Sequence, residues 1–242
     1  MVKLGSWERG FYVESCERPD MRVFFWFYEW HMFEAVCSGQ HTGGRYNFSW
    51  AVTDEKAVTD EDGFRVEAQA VEDGAALSLT ITNRSGHDWP EMAGIIPCFN
   101  PGPQHMRTKT WMDEDHTRTF FLGSDGLERL EQREIHFNDR LRPVVDPLSE
   151  DGTFVFSHKW PPTDRNAQGG VIIREAAEGN WVAGIAWADF LSAQGHNPWY
   201  CMHLSVCVGP LKRGESKTVK GRIYLFEGDG EACLEKYKRD FG

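Results

Sequence analysis

The sequence predicts an all-β fold, an antiparallel β-sandwich with one short C-terminal helix, and three observations support that expectation. Period-2 alternation of apolar and polar residues dominates the chain. Clusters of Gly, Pro, Asp and Asn separate the alternating segments. No strand–helix–strand rhythm of the kind that builds a parallel sheet is present.

The elements follow in chain order. In Val23 to Tyr28, the longest purely apolar run, Val23, Phe25 and Phe27 share one face of a strand and Phe24, Trp26, Tyr28 and Trp30 the other. Both faces are apolar, so this strand is expected to be covered on each side, with Glu29 and His31 continuing the first face at the end of the layer. Phe64 to Val71 alternates, with Val66, Ala68 and Ala70 on one face, and Leu77 to Thr82 repeats the pattern. The turn-like Glu72-Asp73-Gly74 between them makes the two a hairpin. Pro97 to Asp115, with Asn100-Pro101-Gly102-Pro103, reads as a long loop of the length that often carries function. Strands are expected again at Gly170–Arg174, Trp181–Trp187, Met202–Val208 and Ser216–Phe226. Helical periodicity is confined to Gly230–Arg239, where Cys233, Leu234 and Tyr237 form one stripe.

Composition bounds the function. A chain of 242 residues with 10 Trp, 16 Phe and 6 Tyr, without internal repeat or polar linker, suits a single domain spanning residues 1–242. The formal net charge of -11 repels phosphate backbones and anionic lipids, so no nucleic-acid and no membrane partner is expected. The longest apolar run falls far short of the roughly 20 residues that span a bilayer. The N-terminus has an early acid and no apolar h-region, which points to a cytoplasmic protein. Cys16, Cys37, Cys98, Cys201, Cys207 and Cys233 form no CxxC pair and read as buried, reduced thiols.

Three groups of residues are suited to chemistry. The densest is Gln194-Gly195-His196-Asn197-Pro198-Trp199-Tyr200-Cys201-Met202-His203, where a turn opens into a strand carrying Met202, Leu204, Val206 and Val208 on one face. His196 and Tyr200 can act as a proton-transfer pair near neutral pH, His203 is a second imidazole, Trp199 offers a stacking platform for a sugar ring, and Gln194 and Asn197 can hold hydroxyls. A second group brings Glu29, His31 and Glu34 from an aromatic strand toward the glycine-flanked His41. A third is cationic: His105, Arg107 and Lys109 alternate in the long loop, and Lys159 follows His158 beside Trp160, an arrangement suited to a carboxylate. A divalent transition metal held by some subset of His31, His41, His196 and His203 is an alternative, although no HExxH, HxH or CxxC spacing marks it. Nucleotide-binding glycine loops and Gly-x-Ser-x-Gly nucleophile motifs are absent.

Thr80-Ile81-Thr82-Asn83-Arg84-Ser85 closing a strand, then Trp89-Pro90, then Cys98-Phe99-Asn100-Pro101-Gly102, resembles the strand, turn and HxYFN stretch of the galactose mutarotase-like β-supersandwich proteins. The turn from Gly209 to Ser216 is similar to a late turn of the same group. The resemblance covers about a fifth of the chain. It implies a supersandwich-like, sugar-facing fold with Asn100 at the ligand. The sequence departs from the family at Ile96, which stands where a mutarotase carries its catalytic His. Together the residues and the resemblance lead to a carbohydrate-active lyase or isomerase working on a sugar or uronate by His/Tyr acid–base chemistry. The other readings are a His-ligated metal enzyme and a non-catalytic sugar-binding module.

Overall fold

The computed structural model describes residues 1–29, 48–61, 63–100, 117–150, 163–177, 180–195 and 200–242. In chain order these form β1 (Val2–Trp7), β2 (Gly10–Ser15), β3 (Arg22–Glu29), β4 (Ala51–Val52), β5 (Lys56–Glu61), β6 (Phe64–Val71), β7 (Gly74–Thr82), β8 (Gly94–Asn100), β9 (Thr119–Gly123), β10 (Gly126–Arg129), β11 (Ile135–Phe137), α1 (Arg142–Glu150), β12 (Gly169–Glu175), β13 (Trp181–Trp187), β14 (Phe190–Gln194), β15 (His203–Cys207), β16 (Ser216–Glu227) and α2 (Gly230–Phe241). The strands build a seven-stranded sheet, β1-β2-β3-β8-β15-β14-β11, and a nine-stranded sheet, β10-β9-β12-β13-β16-β7-β6-β5-β4. Every paired strand runs antiparallel to its neighbour. This is the all-β sandwich that the alternation predicts. None of the described helices is long and apolar enough to cross a membrane.

The intersheet core joins Phe11, Phe25, Phe27, Phe99 and Leu204 from one sheet to Phe64, Leu79, Ile185, Trp187 and Ile223 from the other. Phe27 meets Phe64 edge-on across the layer, with ring centroids 5.0 Å apart, and Phe25 reaches Trp187 at 6.4 Å. As its pattern predicts, β3 is buried on both sides: Phe24 and Trp26 belong to a separate cluster on the face away from the core. Its register against β8 shifts between Phe27 and Glu29, so strict alternation ends there. The hairpin of β6 and β7 turns through Glu72 and Asp73, with Val71 opposite Gly74, whose φ of +146° suits glycine.

Two expectations change. Pro97 to Asn100 lies in β8 and not in a loop. This strand hides from a pattern search because all seven of its residues are buried and it contains a proline. Pro97 also leaves its mark on pairing: β15 joins β8 at Val206–Ile95 and Cys207–Gly94, then again only at the Phe99–Met202 bridge, since proline supplies no N–H between them. The second change is α1. It carries Pro143 in its first turn, where no N–H is needed, and Pro147 inside, and those two residues read locally as breakers. Its stability comes from packing, with Val145 and Leu141 buried against Ile135, Phe137 and Leu191.

The C-terminal helix α2 forms as its stripe predicts. Asp229 caps it by accepting from the Ala232 N–H, and Cys233 and Leu234 bury against Val171, Ile173 and Val182 on the outer face of the nine-stranded sheet. Asp73, in the β6–β7 turn, pairs with both Arg222 and Lys236. Burial would raise the Asp73 carboxyl, but these two cations outweigh it and hold the group below the usual carboxylate range.

At the other end of the sandwich His136, on edge strand β11, is fully buried and stacks on Phe121 of the opposite sheet at 4.0 Å. Its Nε2 lies 3.1 Å from Glu134 Oε2, and its Nδ1 lies 2.8 Å from the Thr163 hydroxyl and 3.2 Å from the Arg165 carbonyl. Arg165 in turn bridges Glu134 and Glu128. Both ring nitrogens are thus engaged by neighbouring side chains and backbone. Burial, aided by the positive charge of Arg165, pushes the imidazole below its ordinary value of 6.5 despite the acceptors at Arg165 and Glu134. The unfolded chain therefore takes up this proton first on acidification, so the contribution of His136 is complete above about pH 6.5 and declines below it. Urea midpoints for the native protein and His136→Gln should accordingly draw together as the pH falls below about 6.5. Phe25→Ala, measured the same way at neutral pH, should lose about 3–5 kcal/mol.

Candidate functional site

Alternation gives the seven-stranded sheet two unlike faces. Phe25, Phe99, Leu204 and Ala193 enter the intersheet core. Their neighbours Trp26, Cys98, His203 and Gln194 share the distal face and form one row across β3, β8, β15 and β14: Trp26 stands opposite Cys98, and His203 opposite Gln194. Phe24, Asn100 and Cys201 make a second row beside it, and Ser205 faces Ser192 on the other flank.

The polar members are buried, with His203 at 5%, Asn100 and Gln194 at 2% and both serines fully enclosed. His203 Nε2 lies 3.5 Å from Cys98 Sγ. Asn100 Nδ2 lies 4.0 Å from Cys201 Sγ. Gln194 Nε2 donates to Ser205 Oγ at 2.8 Å and to Ser192 Oγ at 3.4 Å. Burying polar groups is costly unless they are hydrogen-bonded, so five of them on one sheet face mark a built polar surface and not ordinary core.

An aromatic wall borders the row. Trp7 meets Trp26 edge-on at 4.8 Å and Phe24 at 5.0 Å, and Tyr12 meets Phe24 at 5.9 Å. Gly10 permits this approach, because a Cβ there would stand 2.2 Å from the Phe25 carbonyl oxygen and 2.9 Å from the Trp26 Cβ. Beyond the aromatics the buried Glu14 carboxylate pairs with Arg22, whose guanidinium lies 4.4 Å over the Tyr12 ring, and with Lys3 at 3.2 Å.

Of the residues singled out from sequence, the structure brings His203, Asn100 and Gln194 onto this face. Tyr200 precedes it in the chain, half-buried, with a φ of 64° that costs a non-glycine residue roughly 1–3 kcal/mol. His31, His41, His105, Arg107, Lys159, His196, Asn197 and Trp199 lie outside the described residues. Among the described residues no three His, Cys, Asp or Glu side chains gather to hold a metal. Sequence reasoning passed over Cys98 and Trp7. Cys98 was within reach, since it stands two residues before Asn100 and shares its face. Trp7 was not, because only the β1–β2–β3 pairing carries it to Trp26.

No protein-family model matches the chain, and no curated protein matches its sequence. Solved structures with a similar course of chain include a provisional aldose 1-epimerase from Escherichia coli K12, at 9% identity and a TM-score of 0.48 over 94% of this chain and 99% of that one. A galactose mutarotase-like protein from Lactobacillus casei shows 9% identity and a TM-score of 0.48 over 93% and 97%. A galactose mutarotase related enzyme from Lactobacillus acidophilus shows 11% identity and a TM-score of 0.45 over 95% and 99%.

The described cysteines divide sharply by environment. Cys16 is exposed, whereas Cys98, Cys201, Cys207 and Cys233 are buried. Burial pushes the Cys207 thiol up to about 11 and the Cys233 thiol up as well. Iodoacetamide at neutral pH, followed by peptide mass mapping, should label Cys16 at least about tenfold faster than Cys207 or Cys233, with the difference lost in denaturant.

Proposed function

We propose that the protein is a carbohydrate-active enzyme of the isomerase type, working by imidazole acid–base chemistry on the distal face of the seven-stranded sheet. The observation that carries this reading is the row Trp26–Cys98–His203–Gln194. It sets a proton-carrying ring, an amide and an indole side by side on adjacent strands of a rigid sheet. A sugar presents an apolar ring face and a rim of hydroxyls, and the aromatic wall beside Asn100, Gln194, Ser192 and Ser205 matches both features.

In this reading His203 moves the proton, and the Cys98 sulfur at 3.5 Å fixes the orientation of its ring. Tyr200, with His196 and His31 as further proton carriers, is the partner group. Gln194 and Asn100 hold hydroxyls, together with Asn197 and Trp199, and His105, Arg107 and Lys159 serve a uronate carboxylate. The simplest reaction of the class is epimerisation at the anomeric carbon. A base takes the proton from the anomeric hydroxyl, an acid protonates the ring oxygen, and the bond between that oxygen and the anomeric carbon opens. The freed carbonyl turns over and the ring closes by the reverse transfers. Aldose 1-epimerisation is also what the description of the E. coli neighbour names.

Polarimetry on freshly dissolved α-D-glucose and α-D-galactose, with a parallel assay for unsaturated products from a polyuronate, tests the reading. His203→Asn should lower turnover by about 10²–10⁴-fold while leaving sugar affinity within about threefold. Turnover that survives His203→Asn would remove the imidazole from the mechanism, and binding without any turnover would leave a sugar-binding module.

A further inference from the structure

The indole N–H groups of Trp7 and Trp26 are buried with no hydrogen-bond acceptor among the described residues. Trp7 is 8% exposed and Trp26 1%. The two rings touch, and they belong to the same cluster as Cys98 and Cys201, whose cross-strand partners are His203 and Asn100. A buried donor left unmet costs about 1–3 kcal/mol, and indole can only donate. Two such donors on touching rings, on the sheet face that also carries the buried His203, Asn100, Gln194, Ser192 and Ser205, mark a place where oxygen acceptors from outside the chain are received.

We infer that Trp7 and Trp26 are substrate-positioning residues, each donating its indole N–H to an oxygen of the bound saccharide. The inference rests on the reading of the distal face as a sugar site, and it deepens that reading by naming what the site selects: a ligand with ring or hydroxyl oxygens free to accept at the end of the row opposite Gln194. The other polar groups on this face can both give and take hydrogen bonds. The tryptophans cannot, so they select for acceptors at their two positions. Trp187 supplies an internal control. Its indole N–H also lacks an acceptor among the described residues, but it lies in the apolar intersheet core.

The experiment is a titration of protein carrying ¹⁵N-labelled tryptophan and histidine with D-galactose, D-glucose and D-galacturonate, following the assigned indole N–H and imidazole signals. The expected result is a saturable shift of the Trp7 and Trp26 indoles and of His203 at one common Kd, with Trp187 unmoved. Trp26→Phe, which keeps the apolar ring and removes the donor, should weaken that Kd about tenfold. A shift of His203 without either indole overturns the inference and leaves the sugar site standing. Equal movement of all three tryptophans also overturns it, by pointing to a global change. Silence at every signal with all three sugars overturns the inference and the sugar site together. Because the titration uses the unaltered protein, a Trp26→Phe chain that fails to fold does not blunt the test.

Discussion

The structure turns on a burial constraint: β3 is apolar on both sides, so the sheet that contains it must be covered on both faces. One face is satisfied by the second sheet, through Phe25 and Phe27 against Trp187 and Phe64. The other carries Phe24 and Trp26 at 2% and 1% exposure, as enclosed as the core itself. An ordinary antiparallel sandwich offers its outer faces to water and lines them with charge, as β5 and β6 do here with Lys56, Asp60, Arg65 and Glu67. The seven-stranded sheet does not follow that pattern, and its enclosed outer face is where imidazole, amide, thiol and hydroxyl groups are concentrated.

That concentration has an energetic logic. Polar side chains in an enclosed layer stay where their partners hold them, because each lost hydrogen bond leaves a desolvated group behind. Gln194 is tied to two serines on two strands, and His203 is held beside Cys98 on a third. Side chains fixed in this way on strands are placed more firmly than loop residues of the same type.

The sequence disclosed the half-buried strands most clearly. From Phe64 to Thr82, and again from Ser216 onward, one face meets water and the other the core, so polarity alternates with the pleat and the strands stand out, although the second of them begins at Gly74, three residues before the expected Leu77. Where both faces are buried that contrast vanishes, and β8, with Pro97 in its middle, passed for part of a loop. In α1 two prolines obscured a helix that tertiary packing supports. Residue types on the distal face were informative, since His203, Asn100 and Gln194 all stood out. Their meeting was not, because nothing local tells residue 98 that residue 203 will lie across from it. That pairing is fixed by strand order and register, which are settled by the whole core.

The proline in β8 has a structural consequence of its own. Between the Phe99–Met202 bridge and the Val206–Ile95 pair no residues of β8 and β15 pair, which leaves a short gap in the ladder between the two strands. Cys98 and His203 straddle it from opposite banks. Over this gap the two side chains meet on the distal face while Phe99 and Leu204 pack into the core beneath, which ties the polar face to the hydrocarbon under it.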